Sequence, residues 1–134
     1  MNVEDACPCG SGRVFQACCD PFLTGNNRPE TAEMLMRSRY SAYVRENISY
    51  LHDTLWPKYQ AGFDPVHTAQ WARDNHWTGL VVLATFEGGA GDRVGEVLFE
   101  ARFLQNGQLQ THRENSLFKR KAGRWYYVEA VPER

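Results

Sequence analysis

Residues 94–131 read VGEVLFEARFLQNGQLQTHRENSLFKRKAGRWYYVEAV, and this stretch decides the fold. Runs rich in Val, Leu, Phe and Tyr are cut by Asn106-Gly107 and by Ala122-Gly123. Asn-Gly between two such runs is the strongest short-range hairpin signal, because both residues tolerate the positive φ of the tight turn that matches strand twist. The pattern predicts strands over 94–104, 109–119 and 125–131. Working back, the glycine-rich 88–92 separates a further strand over 80–86, so the C-terminal half reads as a four-stranded antiparallel meander.

Helical spacing takes over upstream. Ala32, Leu35, Met36, Tyr40, Tyr43 and Val44 recur every three or four residues, which predicts a helix over 30–45 with Pro29 suited to its first turn and Glu30 and Glu33 to its positive end. Ile48, Leu51 and Leu55 continue the pattern after a break near Asn47, and Pro57 stops it. Asp64 followed by Pro65 marks the start of a third helix, with Val66, Ala69, Trp71 and Ala72 on its apolar side. Helices first and a meander afterwards is an α+β order.

The first 28 residues have no such periodicity. They contain all four cysteines of the chain, Cys7, Cys9, Cys18 and Cys19. Four cysteines inside thirteen positions cannot staple distant segments. They suit one metal ion instead: Zn²⁺ takes four thiolates at tetrahedral corners and forms a closed structural site. Gly10-Ser11-Gly12 lets the chain bend so that backbone N–H groups can reach the sulfurs, and Arg13 adds a cation beside a doubly negative centre. Unpaired thiols or a redox pair are the alternatives. A Cys18–Cys19 disulfide would be strained, and the spacing fits neither ferredoxin pattern of iron–sulfur ligation.

The 134 residues carry 15 basic and 16 acidic side chains, a net charge of −1. That balance gives no electrostatic footprint for nucleic acid or an anionic membrane. No apolar run is long enough to cross a bilayer, and MNVEDACPCG lacks a signal-peptide pattern. A cytoplasmic location, where thiols stay reduced, is the expectation.

Weaker patterns lie in the rest of the chain. His112, Glu114 and Ser116 alternate on the third strand and share a face with Phe118. They read either as an edge-strand surface or polar network, or as a ligand pocket between sheet and helices, with Glu114 and Ser116 at its border, His112 near the rim and Arg39 in reach. A buried Glu114 must meet a cation, a donor or water. Arg37 and Arg39 read as anion binders or as salt bridges from helix to sheet, to Glu100 or Glu114. Lys119-Arg120-Lys121 and Arg124 read as a solvated turn. His52, His67 and His76 read as helix surface or cap residues without metal pairing. Tyr40, Tyr43, Trp71, Trp77, Phe99, Phe103 and Trp125 are core by default. No residue is nominated as catalytic.

CPCGSG followed by a short segment and Cys18-Cys19 resembles the SEC-C motif, the zinc knuckle that docks the SecB chaperone at the tail of the SecA translocase. MRSRYSAYV (36–44), Trp77-Thr78-Gly79-Leu80, Phe99-Glu100-Ala101-Arg102-Phe103, Glu114-Asn115-Ser116-Leu117-Phe118 and Gly123-Arg124-Trp125-Tyr126-Tyr127 resemble the YchJ-type family of bacterial proteins. The resemblance implies a nuclear-transport-factor-2-like (cystatin-like) cone of helices on a curved antiparallel sheet over 29–134, behind a knuckle over 1–28. It implies a protein partner docked through the knuckle, chaperone- or secretion-related, with Val14 and Phe15 either contacting it or packed on the main domain. Some members carry a second cysteine knuckle at the end, absent from the sequence here. A Trp-His-Pro or Leu-His-Pro stretch common in the family reads Leu55-Trp56-Pro57. With Pro29 onward carrying its own core, Cys18→Ser is expected to loosen the N-terminal segment and leave the rest folded.

Overall fold

The structure, a computed structural model, describes residues 5–134; the acidic first four residues lie outside the described residues. A short N-terminal loop unit leads through α1 (Asp20–Leu23) into α2 (Ala32–Val44), α3 (Ile48–Asp53) and α4 (Pro65–Asp74). Strands β1 (His76–Glu87), β2 (Val94–Gln105), β3 (Gln108–Lys121) and β4 (Arg124–Val131) then pair antiparallel in the order β1-β2-β3-β4. Among the described residues no helix is long and apolar enough to cross a membrane.

The hairpins follow from the residues expected to make them. Asn106 (φ 52°) and Gly107 (φ 78°) turn β2 into β3, and Ala122 (φ 52°) and Gly123 (φ 79°) turn β3 into β4. Positive φ at both central residues is the turn whose twist matches the strands. Ala122 adopts it despite its Cβ, at a cost of roughly 1 kcal/mol.

The helix starts differ from the sequence reading at one place. α2 begins at Ala32, two residues later than expected, because Thr31 caps it: the Thr31 Oγ1 accepts from the Met34 N–H at 3.1 Å. Glu30 stays outside the helix, and its carbonyl accepts from Trp125 Nε1 at 2.9 Å and Arg120 Nη2 at 3.1 Å. Asn47 and Asp64 cap α3 and α4 through Tyr50 and His67 N–H groups. Leu55 does not extend α3. Residues 54–56 lie along β4 instead, with Trp56 N–H donating to the Tyr127 carbonyl (2.8 Å) and Tyr127 N–H to that of Thr54 (2.9 Å). His76 belongs to a strand and not to a helix, since β1 begins four residues before the expected Leu80.

α2 is the centre of the molecule. Leu35, Met36, Arg39 and Tyr40 are buried, and so are the small residues Ser38, Ser41 and Ala42. One buried cluster joins Leu35, Met36 and Tyr40 to Val97, Phe99 and Phe118 of the sheet and to Phe15 and all four cysteines. The knuckle and the sheet therefore share one core. Close backbone approach seats the N-terminus of α2: Ala32 N–H donates to the Gly88 carbonyl at 2.9 Å, and a Cβ on Gly95 would lie 2.4 Å from the Gly88 Cα. No residue but glycine fits there.

Candidate metal centre and ligand cavity

The knuckle is a small hairpin built from the first cysteine pair. Ala6 bridges Val14, Cys7 N–H donates to the Arg13 carbonyl (2.8 Å) and Phe15 N–H to that of Asp5 (2.8 Å). Gly10 (φ 79°) turns the loop, and a Cβ there would stand 2.8 Å from the Leu80 carbonyl oxygen of β1. A turn over Phe15–Ala17 then returns Cys18 and Cys19 to the first pair. Phe15 is buried beneath the guanidinium of Arg45, 4.8 Å from its ring centroid, whereas Val14 stays 46% exposed. Of those two, Phe15 packs on the main body and Val14 faces outward.

All four sulfurs lie within 4.8 Å of one another and every cysteine is buried. The Cys9–Cys18 and Cys18–Cys19 sulfur separations are 3.5 and 4.0 Å. A tetrahedral centre with metal–sulfur bonds near 2.3 Å sets its sulfurs about 3.8 Å apart, so the cluster can hold one metal ion with little adjustment. The thiols are unpaired by disulfides. Left to themselves they share charge badly. Hydrogen bonds from Cys19 and then Cys9 pull the Cys7 thiol far down. Donation to Cys7 and then Cys9 pushes the Cys19 thiol far up. Cys9 is raised as well: the bond from Cys19 favours its thiolate, but donation to Cys7 and burial outweigh that. A cation among them lets all four ionise.

Two hydroxyls serve the sulfurs: Ser11 Oγ lies 3.1 Å from Cys18 Sγ, and Ser41 Oγ 3.6 Å from Cys7 Sγ. Backbone N–H groups were expected in that role, and the Cys9 backbone bonds to the Cys7 sulfur; hydroxyls and the other thiols join it. The cation bonded to the loop is Arg37, whose Nη1 donates to the Cys9 carbonyl at 2.6 Å while its Nε pairs with Glu33 at 2.9 Å. Arg13 supplies the hairpin with its backbone carbonyl. Neither Ser41 nor Arg37 was legible as a knuckle residue, since both come from α2.

On the opposite side of α2 a cavity of about 200 Å³ lies between helices and sheet. Arg39, His112, Glu114 and Ser116 all line it, with Met36, Tyr40, Tyr43, Trp71, Trp77, Phe99, Ala101 and Tyr127. β3 pairs with β2 along the whole polar row but with β4 only from Asn115 onward, so Ser116 lies between two strands while His112 and Glu114 lie on the stretch that β4 does not reach. Glu114 pairs across the sheet with Phe99, His112 with Ala101 and Ser116 with Val97, which places the row on the face that β2 fills with apolar side chains.

Glu114 is held by three donors. His112 Nε2 lies 3.0 Å from Oε1, and Ser116 Oγ and Tyr127 Oη donate to Oε2 at 2.6 and 2.8 Å. Burial alone would raise its carboxyl, but the bonds from His112, Ser116 and Tyr127 outweigh that and hold it below the usual range. The same carboxylate raises His112, against a smaller effect of burial. Tyr127 was missed as a site residue. Its signal was the alternation of Trp125 and Tyr127, which points both inward.

Arg39 is buried, and its contacts correct the salt bridges expected for the arginines. Nη1 donates to the Leu51 carbonyl (3.0 Å) and the Thr54 hydroxyl (2.6 Å), and the guanidinium lies 4.9 Å from the Tyr127 ring centroid. Among the described residues it has no carboxylate within ion-pair distance, and Arg37 pairs only within its own helix. Glu100 is out of reach because it neighbours Phe99 on the strand and so faces the outer side, where Arg113 and Arg102 take it. Desolvation lowers the Arg39 guanidinium, offset in part by Tyr43, Tyr127, Tyr50 and Glu114. It nonetheless stays charged, as arginine does in proteins.

Trp71, Trp77 and Phe103 pack as a ring cluster at one wall, with centroids 5.2–6.3 Å apart. Of the aromatic residues taken as core, Trp71 is 38% exposed. The remaining histidines do not gather: His52 sits beside Asp53 and Phe63, and His67 lies in the first turn of α4.

Residues 31–130 match the family described as YchJ, middle NTF2-like domain, and residues 5–21 match the SEC-C motif. A UPF0225 protein of Geobacter sulfurreducens is 46% identical over 95% of the chain and 79% of its own length. Another, of Actinobacillus succinogenes, is 44% identical over 95% of the chain and 82% of its own length. The solution structure of a SEC-C motif containing protein from Rhodopseudomonas palustris superposes with a TM-score of 0.87 at 36% identity, covering both chains fully. A crystal structure of a SEC-C motif containing protein from Psychrobacter arcticus gives 0.81 at 32% identity, over 96% of this chain and 84% of that one.

Proposed function

The chain belongs to the YchJ family, and on that premise we propose that it is a zinc-stapled binding protein whose cavity between α2 and the sheet takes a small ligand. Cys7, Cys9, Cys18 and Cys19 hold the zinc. Four thiolates leave the ion no position for water or substrate, so the metal supplies folding energy and no chemistry. Free thiolate ligands are kept reduced in the cytoplasm, and that compartment is part of the proposal.

The observation that carries the reading is the cavity itself: mostly aromatic walls with a few convergent polar groups, the usual make-up of a ligand site. Glu114 favours binding over turnover. A carboxylate that already accepts three hydrogen bonds and stays ionised is a weak proton acceptor. A thermal-shift screen of small metabolites, repeated with Trp77→Ala, tests it. A ligand should raise Tm in the parent and lose its effect in the variant; a full screen with no stabilising compound would count against it.

A second reading is docking of a chaperone- or secretion-related protein through the knuckle, by likeness to the SecA tail. Exposed Val14 favours it, together with a groove lined by Ser11, Arg13, Phe22, Met34 and Arg37 beside Cys18 and Cys19. Titration of the zinc-loaded protein with SecB should then release heat, and less with Val14→Asp.

A further inference from the structure

The two charged groups in the cavity are not in the same condition. Glu114 is saturated: its oxygens accept from a ring nitrogen and two hydroxyls. Arg39 is not. Its Nη1 is used twice, but among the described residues Nε and Nη2 make no hydrogen bond, and no carboxylate lies within ion-pair distance. A guanidinium presents five donors in a planar fork, and leaving it buried without an anion is costly. Its nitrogens are also absent from the buried polar atoms that lack any partner, which are Asn75 Oδ1 and Arg120 Nε. The free side of the fork is therefore reachable, and the space it meets is the cavity that Arg39 lines.

Resting on the cavity reading above, we infer that the ligand is a small monocarboxylic acid, its carboxylate on the free edge of Arg39 and its apolar body against Trp77, Phe99 and Tyr43. The sign follows from Arg39 having no counter-ion while Glu114 already has its donors. The size follows from the volume: about 200 Å³ is less than the roughly 300–1,000 Å³ of sites for drug-sized molecules. One ring or a short branched chain fits. The fork geometry explains why an arginine stands here, since a carboxylate can take two parallel N–H bonds from it.

The test uses three probes of one shape: phenylacetate, phenylacetamide and phenethylamine, titrated into the zinc-loaded full chain by amide and indole NMR. Phenylacetate should shift the Trp71 and Trp77 indole signals and bind at least about tenfold tighter than the amide, the amine being weakest. Arg39→Met should bring acid and amide to equal affinity. Should that variant fail to fold, Arg39→Lys keeps the charge, loses the fork and should weaken the acid several-fold with the amide unchanged. If the amide or amine binds as tightly as the acid, or if neither variant changes their ratio, the carboxylate assignment falls and the cavity reading survives. If no probe moves the tryptophan signals, and the metabolite screen also finds nothing, the cavity reading falls with it.

Discussion

α2 separates two clusters of reactive side chains that are built on opposite plans. On one side four thiols face each other, with Ser11, Ser41 and Arg37 around them, and every group has a partner within the cluster. On the other side Arg39 and Glu114 share a cavity without pairing, and one of them keeps donors free. The first is closed and can only hold what completes it. The second is open and selects what enters it. Burial alone does not distinguish them; completeness of the hydrogen bonding does.

The comparison breaks first at the metal. Because the cysteines share one buried cluster with Leu35, Met36 and Phe118, stripping the ion with a chelator should cost several kcal/mol and lower Tm by 10 °C or more, on the order expected for a structural zinc. Elemental analysis should first give one zinc per chain. A chelated protein that melts as the parent does would separate the knuckle from the core, in line with the sequence expectation for Cys18→Ser.

Gly95→Ala comes next. Its Cβ would meet the Gly88 backbone and Ala32, unseating the start of α2, and should cost about 2–3 kcal/mol by denaturant unfolding. Both clusters rest on α2, so zinc affinity and cavity binding should weaken together. A loss confined to one would show that they are independently supported.

The cavity pair gives a pH signature. The folded His112 is raised, so its contribution is present below the unfolded value of about 6.5 and is lost as pH climbs through the folded one. Glu114 is lowered, so its contribution is present above about 4.3 and is lost as pH falls through its folded value. His112 is 55% exposed, which limits its share to a few tenths of a kcal/mol. An NMR titration should place the His112 midpoint above 6.5, and Glu114→Gln should return it toward that value. A midpoint unmoved by the substitution would remove the pair from the cavity.

How much of this was readable beforehand divides along the same line. The knuckle is local: its cysteines span thirteen positions, and their spacing alone pointed to one cluster. The meander was legible because Asn106-Gly107 and Ala122-Gly123 are turns by chemistry. The cavity was legible only in part. Alternation put His112, Glu114 and Ser116 on one face, but Tyr127 as third donor and Thr54 as the anchor of Arg39 depend on β4 and on residues 54–56 meeting, which no periodicity encodes. The salt bridges expected of Arg37 and Arg39 failed differently: strand alternation with the inward Phe99 already turns Glu100 outward, and Glu114 is taken by His112, Ser116 and Tyr127.

The smallest effect calibrates the others. Ala122→Gly, at a hairpin tip away from both clusters, should relieve the left-handed strain and stabilise by about 0.5 kcal/mol, with zinc and cavity binding unchanged.

The anchoring of Glu30 also sets an order of events during synthesis. Its carbonyl waits for Arg120 and Trp125, which lie 90 and 95 positions further along, and the Thr54 and Trp56 backbone waits for Tyr127. Contacts of such separation slow folding, because a long loop must close before they form. The helical half is therefore made early and completed late: until β4 has left the ribosome, α2 has no finished wall to settle against.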